Sequence, residues 1–115
     1  MKKLINSFRH ATEGIINTAT VETNLQIHIT VMICVVLMGL MVGLTMFEWI
    51  ICIILFGLVI SAELFNTALE ETLDYINEEY NEKIRFIKDA SAGAVLVTAI
   101  VSIIVGLIIF IPKFV

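Results

Sequence analysis

Apolar and polar positions recur with a helical period over the first twenty residues, and three long apolar runs follow. In residues 1–20, Leu4, Ile5, Phe8, Ala11, Thr12, Ile15, Ile16 and Ala19 share one helix face, and Lys2, Asn6, Arg9, Glu13 and Asn17 take the other. With its basic start, this segment reads as an amphipathic helix lying in the membrane interface. A helix packed on a partner is the other reading. No charge falls between residues 29 and 47, between 49 and 62, or between 90 and 112. These runs predict crossings at about 25–46, 49–71 and 88–111. Thr20 or Thr23 is placed to cap the first of them. Gly39 and Gly43 form a small-xxx-small pair suited to close helix contact. Glu48 and Trp49 mark a tight turn at the far interface, where Trp is favoured. Lys88 and Asp89 open the third crossing, whose early residues Ala92, Gly93, Ala94 and Ala99 are small enough for tight packing, and Pro112 and Lys113 end it.

Composition sharpens this picture. The chain has 115 residues, 59% of them hydrophobic, and a mean hydropathy of +1.00. A soluble fold of this length cannot hide so much apolar surface. The fold class is therefore all-α integral membrane, a single membrane-embedded domain over residues 1–115. A three-crossing protein has a small interior, so buried polar groups need a neighbouring subunit, which predicts a homo-oligomer. Lys2, Lys3 and Arg9 precede the first crossing, and Lys83, Arg85 and Lys88 lie between the second and third. The turn between the first two crossings has no Lys or Arg, and the C-terminus has only Lys113. This bias places the N-terminus and the loop at 73–87 in the cytoplasm. The net charge of −4 is concentrated between Glu70 and Glu82. No basic face is available for nucleic acid. Cys34 and Cys52 lie inside apolar runs and read as packing residues rather than a disulfide. Lys2 and Lys3 lead into an amphipathic segment, not the apolar core of a signal peptide.

The chemistry gathers in residues 61–74, SAELFNTALEETLD. Helical spacing puts Glu63, Asn66, Glu70 and Asp74 on one face, with Thr67 beside them. Glu63 follows an uncharged run, so it sits where a membrane helix is still in the bilayer. An ionisable group at that depth is a functional-site hypothesis by default. The bland reading is a neutral carboxyl that glues helices together. A poorly solvated carboxyl near the interface suits a general base for a hydroxyl. Glu22 and Glu70 lie near the cytoplasmic ends of their helices and suit a divalent metal such as Mg²⁺, which takes one or two carboxylates plus phosphates. A solvated helix end explains Glu70, Glu71 and Asp74 equally well. Lys88 and Asp89, at a helix start, suit a phosphate; an ordinary interfacial anchor is the alternative for Lys88. No Walker A or kinase glycine loop is present. A deep base, shallow carboxylates and a lysine together fit phosphoryl transfer from a nucleotide to a membrane alcohol. The competing class is a small ion- or proton-conducting oligomer with Glu63 as relay, which leaves Glu22, Glu70, Lys88 and Asp89 unexplained.

ELFNTALEETLD (63–74), followed by KDASAGAVL (88–96), closely resembles the prokaryotic diacylglycerol kinase family. Together with Gly14 and the E-x-N-x-x-I-H stretch at 22–28, it is most similar to the Gram-positive undecaprenol kinase branch. The resemblance covers nearly the whole chain. It implies a homotrimeric bundle with three crossings per subunit, active sites shared between subunits, and MgATP-dependent phosphorylation of a lipid alcohol in the bacterial cell membrane. Undecaprenol is the expected acceptor, with diacylglycerol the alternative. By position, Glu63 corresponds to the proton acceptor, Glu22 and Glu70 to the metal ligands, and Asn66 to an Asn that orients Glu63 or the acceptor. Lys88 and Asp89 correspond to the nucleotide-phosphate region, and Glu79, Tyr80 and Asn81 to a nucleotide-contacting segment. His10 aligns near the nucleotide and Lys3 near the lipid headgroup. Asn81 stands where His is expected, and Thr23 and Gln26 stand where basic residues are common.

Overall fold

A computed structural model of the chain describes residues 1–77, 79 and 81–115. Four helices follow one another: α1 (Lys2–Val21), α2 (Thr23–Val42), α3 (Met46–Ile76) and α4 (Glu82–Phe114). The last three are long and apolar enough to cross a membrane. In α1, the apolar side chains of Leu4, Ile5, Phe8, Ile15 and Ile16 are exposed, and no residue of that helix is buried.

A single extended residue, Glu22, separates α1 from α2. Its N–H donates to Thr18 O (2.8 Å) and its carbonyl accepts from Gln26 N (3.1 Å), so it ends one helix and starts the next. Neither candidate threonine caps α2: Thr20 Oγ1 donates back to Asn17 O, and Glu22 is the N-cap. The Gln26 amide donates to Ala19 O across the break at 2.9 Å, which helps fix its angle.

The turn between α2 and α3 lies at 43–45, earlier than the Glu48–Trp49 position expected from the aromatic marker. Gly43 adopts the left-handed conformation (φ 75°) that L side chains resist, which terminates α2. Thr45 then caps α3: Thr45 Oγ1 accepts from Glu48 N (3.2 Å), and Glu48 Oε1 accepts from Thr45 N (2.9 Å). This reciprocal capping box places Glu48 and Trp49 in the first turn of α3. The two glycines thus have separate uses. Gly43 turns the chain, while a Cβ on Gly39 would come within 2.7 Å of the Trp49 ring and 2.8 Å of Leu44 Cδ1.

Helix α4 begins at Glu82, well before Lys88. Asn81 is its N-cap, with Oδ1 accepting from Lys83 N (2.9 Å) and Ile84 N (3.4 Å). Pro112 lies inside its last turn, and the helix continues to Phe114. Lys113 Nζ reaches Glu48 Oε1 at 2.9 Å and joins the end of α4 to the start of α3.

Burial divides between the two ends of the hairpins. At the turn end, Leu44, Cys52 and Ile109 form an apolar cluster with Trp49, Phe56 and Phe110 against it. At the loop end, the buried residues are Leu25, Leu73 and a polar set on α3. Most other apolar side chains, such as Ile33, Leu58, Leu96 and Ile104, face outward. Gly93, among the small residues early in α4, is not packed tightly by another helix of the same chain, since a Cβ there meets nothing within 4 Å.

Candidate active site at the loop end

The polar stripe of α3 carries the site. Glu63 is 2% exposed, and Asn66 and Thr67 are also buried. The neighbouring α2 supplies Leu25, fully buried, and His28 one turn along the same side of the helix. His28 Nε2 lies 3.7 Å from Glu63 Oε2. That is beyond hydrogen-bond length but within the reach of a charge pair. His28 is not among the site residues expected from the sequence. Its signal was present, however: an ionisable residue just inside the apolar run of α2, at the depth Glu63 occupies on the antiparallel α3.

Asn66 lies on the same face as Glu63 and Glu70. Its Nδ2 donates to Glu70 Oε1 (3.1 Å), so the amide orients the shallower carboxylate. Asn66 Oδ1 and Thr67 Oγ1 are buried and have no hydrogen-bond partner among the described residues. Leaving such atoms unpaired costs about 1–3 kcal/mol each, which marks them as places for a ligand or neighbouring group to bond. Glu22, half-buried at the helix break, and Glu70 lie close enough to Glu63 for their charges to act on it. No cluster of three or more His, Cys, Asp or Glu forms a metal cage among the described residues. Two carboxylates are nevertheless a fitting donor set for a hard cation that takes its remaining ligands from phosphate and water. Asn66 holds one oxygen of Glu70 and leaves the other free for that use.

Lys88 reaches the site by a different route from the one expected. It lies inside α4, so no free helix N–H groups surround it, and the helix start is capped by Asn81 instead. Its Nζ pairs with Asp74 Oδ1, one turn beyond Glu70 on the α3 stripe. Asp89 is turned about 100° round the helix from Lys88 and pairs with Arg85 Nε at 3.4 Å. His10 Nδ1 lies 3.9 Å from Glu13 on the exposed α1, and Lys3 is exposed. Glu79 N donates to Asn77 Oδ1 (3.0 Å). Asn81 is occupied in capping, and Tyr80 lies outside the described residues. The chain therefore gathers Glu22, Glu63, Asn66 and Glu70, with Lys88 beside them through Asp74. Lys3, His10, Glu79, Asn81 and Asp89 have their contacts elsewhere.

Known proteins show the same stretch of chain. The family model for prokaryotic diacylglycerol kinase matches residues 9–110. The chain is 42% identical over 113 residues to a Bacillus subtilis protein named undecaprenol kinase, covering 98% of this chain and 92% of that one. It is 33% identical over 110 residues to a Synechocystis sp. protein named diacylglycerol kinase, covering 95% of this chain and 63% of that one. A match of this extent, through α2, α3 and nearly all of α4, places the chain in the prokaryotic diacylglycerol kinase family.

Proposed function

We propose that this protein is a MgATP-dependent lipid kinase that transfers the γ-phosphate of ATP to the hydroxyl of undecaprenol, giving undecaprenyl phosphate. One observation carries the reading: Glu63 is almost wholly buried beside His28, and on the same face the Asn66–Glu70 pair lies nearer the surface. The acceptor hydroxyl meets Glu63, which takes its proton as the oxygen bonds to the γ-phosphorus. The bond from that phosphorus to the β–γ bridging oxygen breaks, and ADP leaves. His28 holds the Glu63 carboxyl in place. Asn66 Oδ1 and Thr67 Oγ1 are free to bond the acceptor or the nucleotide. Glu22 and Glu70 would hold Mg²⁺, which when bound offsets the negative charge of the phosphates. Lys88 adds positive charge on the nucleotide side, with Asp89, His10, Glu79, Tyr80 and Asn81 as further nucleotide contacts and Lys3 near the lipid headgroup.

The exposed apolar face of α1 supports an interfacial helix. The Lys/Arg bias supports a cytoplasmic N-terminus and loop, with residues 1–115 acting as one kinase domain. The family resemblance implies a homotrimer with shared active sites, and the candidate site residues that lie outside the chain's own cluster support sharing between subunits. Diacylglycerol is the second acceptor reading, favoured by the name of the Synechocystis relative. The test is phosphate transfer by purified protein in lipid nanodiscs, given MgATP with undecaprenol, with diacylglycerol, or with neither. Transfer to undecaprenol alone is expected. Transfer to diacylglycerol alone favours the second reading, and transfer to no lipid overturns the kinase assignment.

A further inference from the structure

Hydroxyl side chains inside these helices mostly bond their own backbone. Ser7, Thr12, Thr18, Thr30, Thr72 and Ser102 each donate to the carbonyl four residues back, at distances between 2.7 and 3.0 Å. Thr67 does not. It is the one buried Ser or Thr among the described residues, and its Oγ1 is sealed from solvent with no hydrogen-bond partner among them. Thr72, five residues further along α3 and exposed, bonds Ala68 O at 2.7 Å. The helix itself therefore permits the back-bond that Thr67 leaves unmade.

Its position on α3 limits what it can meet. Thr67 stands one turn after Glu63 and one turn before Glu70, about 40° and 60° round the helix from them. It thus lies between the proposed base and a proposed metal ligand. The apolar space of about 460 Å³ between α2, α3 and α4 has His28 in its wall but neither Thr67 nor Asn66. When phosphorus passes from a metal-held nucleotide to a hydroxyl at Glu63, its non-bridging oxygens cross the level of Thr67. The two unpartnered atoms then sort by their chemistry. Asn66 uses Nδ2 as a donor to Glu70 and is left with Oδ1, which only accepts. An ionised phosphoryl oxygen also only accepts, so these two cannot bond. Thr67 carries a proton and can donate it. The acceptor alcohol is a poorer partner, because a donor on its oxygen would hold back the lone pair that attacks phosphorus. A helix leaves threonine two χ1 rotamers, so one side-chain rotation re-aims the hydroxyl when the nucleotide arrives.

We propose that the Thr67 hydroxyl donates a hydrogen bond to a non-bridging oxygen of the γ-phosphoryl group during transfer, making Thr67 a catalytic residue beside Glu63. Its proton stays on Oγ1, and the bonds that form and break are those of the kinase reading, on which this inference rests. Thr67→Val removes the hydroxyl at nearly constant volume, Thr67→Ala removes it without bulk, and Thr67→Ser keeps it. Losing one hydrogen bond to a charged group corresponds to roughly ten- to a hundredfold in rate. The Val and Ala variants are expected to lose kcat by that factor, with KM for undecaprenol and calorimetric affinity for MgATP little changed. Thr67→Ser is expected to keep most of the wild-type kcat. Aluminium fluoride, standing in for the transferring phosphoryl group, gives a readout without turnover. It should tighten MgADP binding to the wild-type and Ser proteins and lose that effect in the Val and Ala proteins. Wild-type kcat in both Val and Ala variants would overturn the role of Thr67 and leave the kinase reading standing. A raised KM for undecaprenol at unchanged kcat would move the bond to the acceptor and overturn it as well. Equal losses in all three variants, with a lower unfolding midpoint, would make the hydroxyl a packing partner of a neighbouring copy and likewise overturn it. No transfer to any lipid by the wild-type protein would remove the kinase reading and this role with it.

Discussion

Glu63 and Glu70 lie two helical turns apart on one face, and their surroundings differ. Glu63 is sealed and faces His28; Glu70 is half-buried and held by the Asn66 amide. Glu63→Gln is expected to abolish turnover, a loss of a hundredfold or more typical of removing a general base (~10²–10⁴), with MgATP affinity retained in a binding titration. Glu70→Gln is expected to do the reverse first, weakening MgATP binding; unchanged affinity would remove Glu70 from the metal role. His28→Phe tests the residue that pattern reading passed over. It preserves the apolar wall and removes the imidazole, so kcat should fall on the order of ten- to a hundredfold by misplacing Glu63 while KM for MgATP holds. A parallel fall in MgATP affinity would show that His28 acts on the nucleotide side instead.

Among the elements, the helices themselves were legible and their joints were not. Long uncharged runs are enough to predict crossings, because the bilayer demands length and hydrophobicity. The stripe on α3 was legible for a related reason, since helical periodicity puts residues at i, i+3 and i+7 on one face. Joints depend on short-range backbone chemistry that hydropathy does not register. Gly43, a left-handed cap, sits inside a run that still reads as membrane, and the capping box at Thr45 starts α3 at Met46 rather than Trp49. Thr45→Ala should therefore cost about 1 kcal/mol, read as a lower unfolding midpoint in mixed micelles, with kinase kinetics little changed. The start of α4 was obscured by the charged stretch before Lys88, which looks like loop but is helix from Glu82 onward. That shift turns Lys88 from a helix-terminus group into a cross-helix partner of Asp74. An ion pair this exposed contributes at most about 1 kcal/mol, so Asp74→Asn should change stability only slightly. Lys88→Met should remove the same small amount and, in addition, raise KM for MgATP. Equal kinetic effects from the two substitutions would mean that Lys88 serves only to position α4.

At the scale of the whole molecule, the protomer is an open arrangement, with few fully buried side chains and long apolar helix faces turned outward. The hydrocarbon of the bilayer can cover those faces, but it cannot bond Asn66 Oδ1 or Thr67 Oγ1. Residues gathered within one chain and residues left outside the cluster should therefore behave differently in mixed oligomers. His28, Glu63 and Glu70 are brought together by α2 and α3 of a single chain. Asp89 pairs with Arg85 on an exposed part of α4, about 100° round the helix from Lys88, where a neighbouring subunit can meet it. Glu63→Gln and Asp89→Asn, each expected to be impaired alone, are thus expected to recover part of the wild-type rate when co-assembled, because some sites then draw an intact Glu63 from one subunit and an intact Asp89 from another. Glu63→Gln mixed with Glu70→Gln should recover nothing, since both lesions fall on the same helix face of the same chain and every Glu63-intact stripe lacks Glu70. Recovery in both mixtures would place Glu63 and Glu70 in different sites and undo the single-stripe assignment. Recovery in neither would make each protomer catalytically self-contained, with Asp89 acting beside its own chain's Lys88.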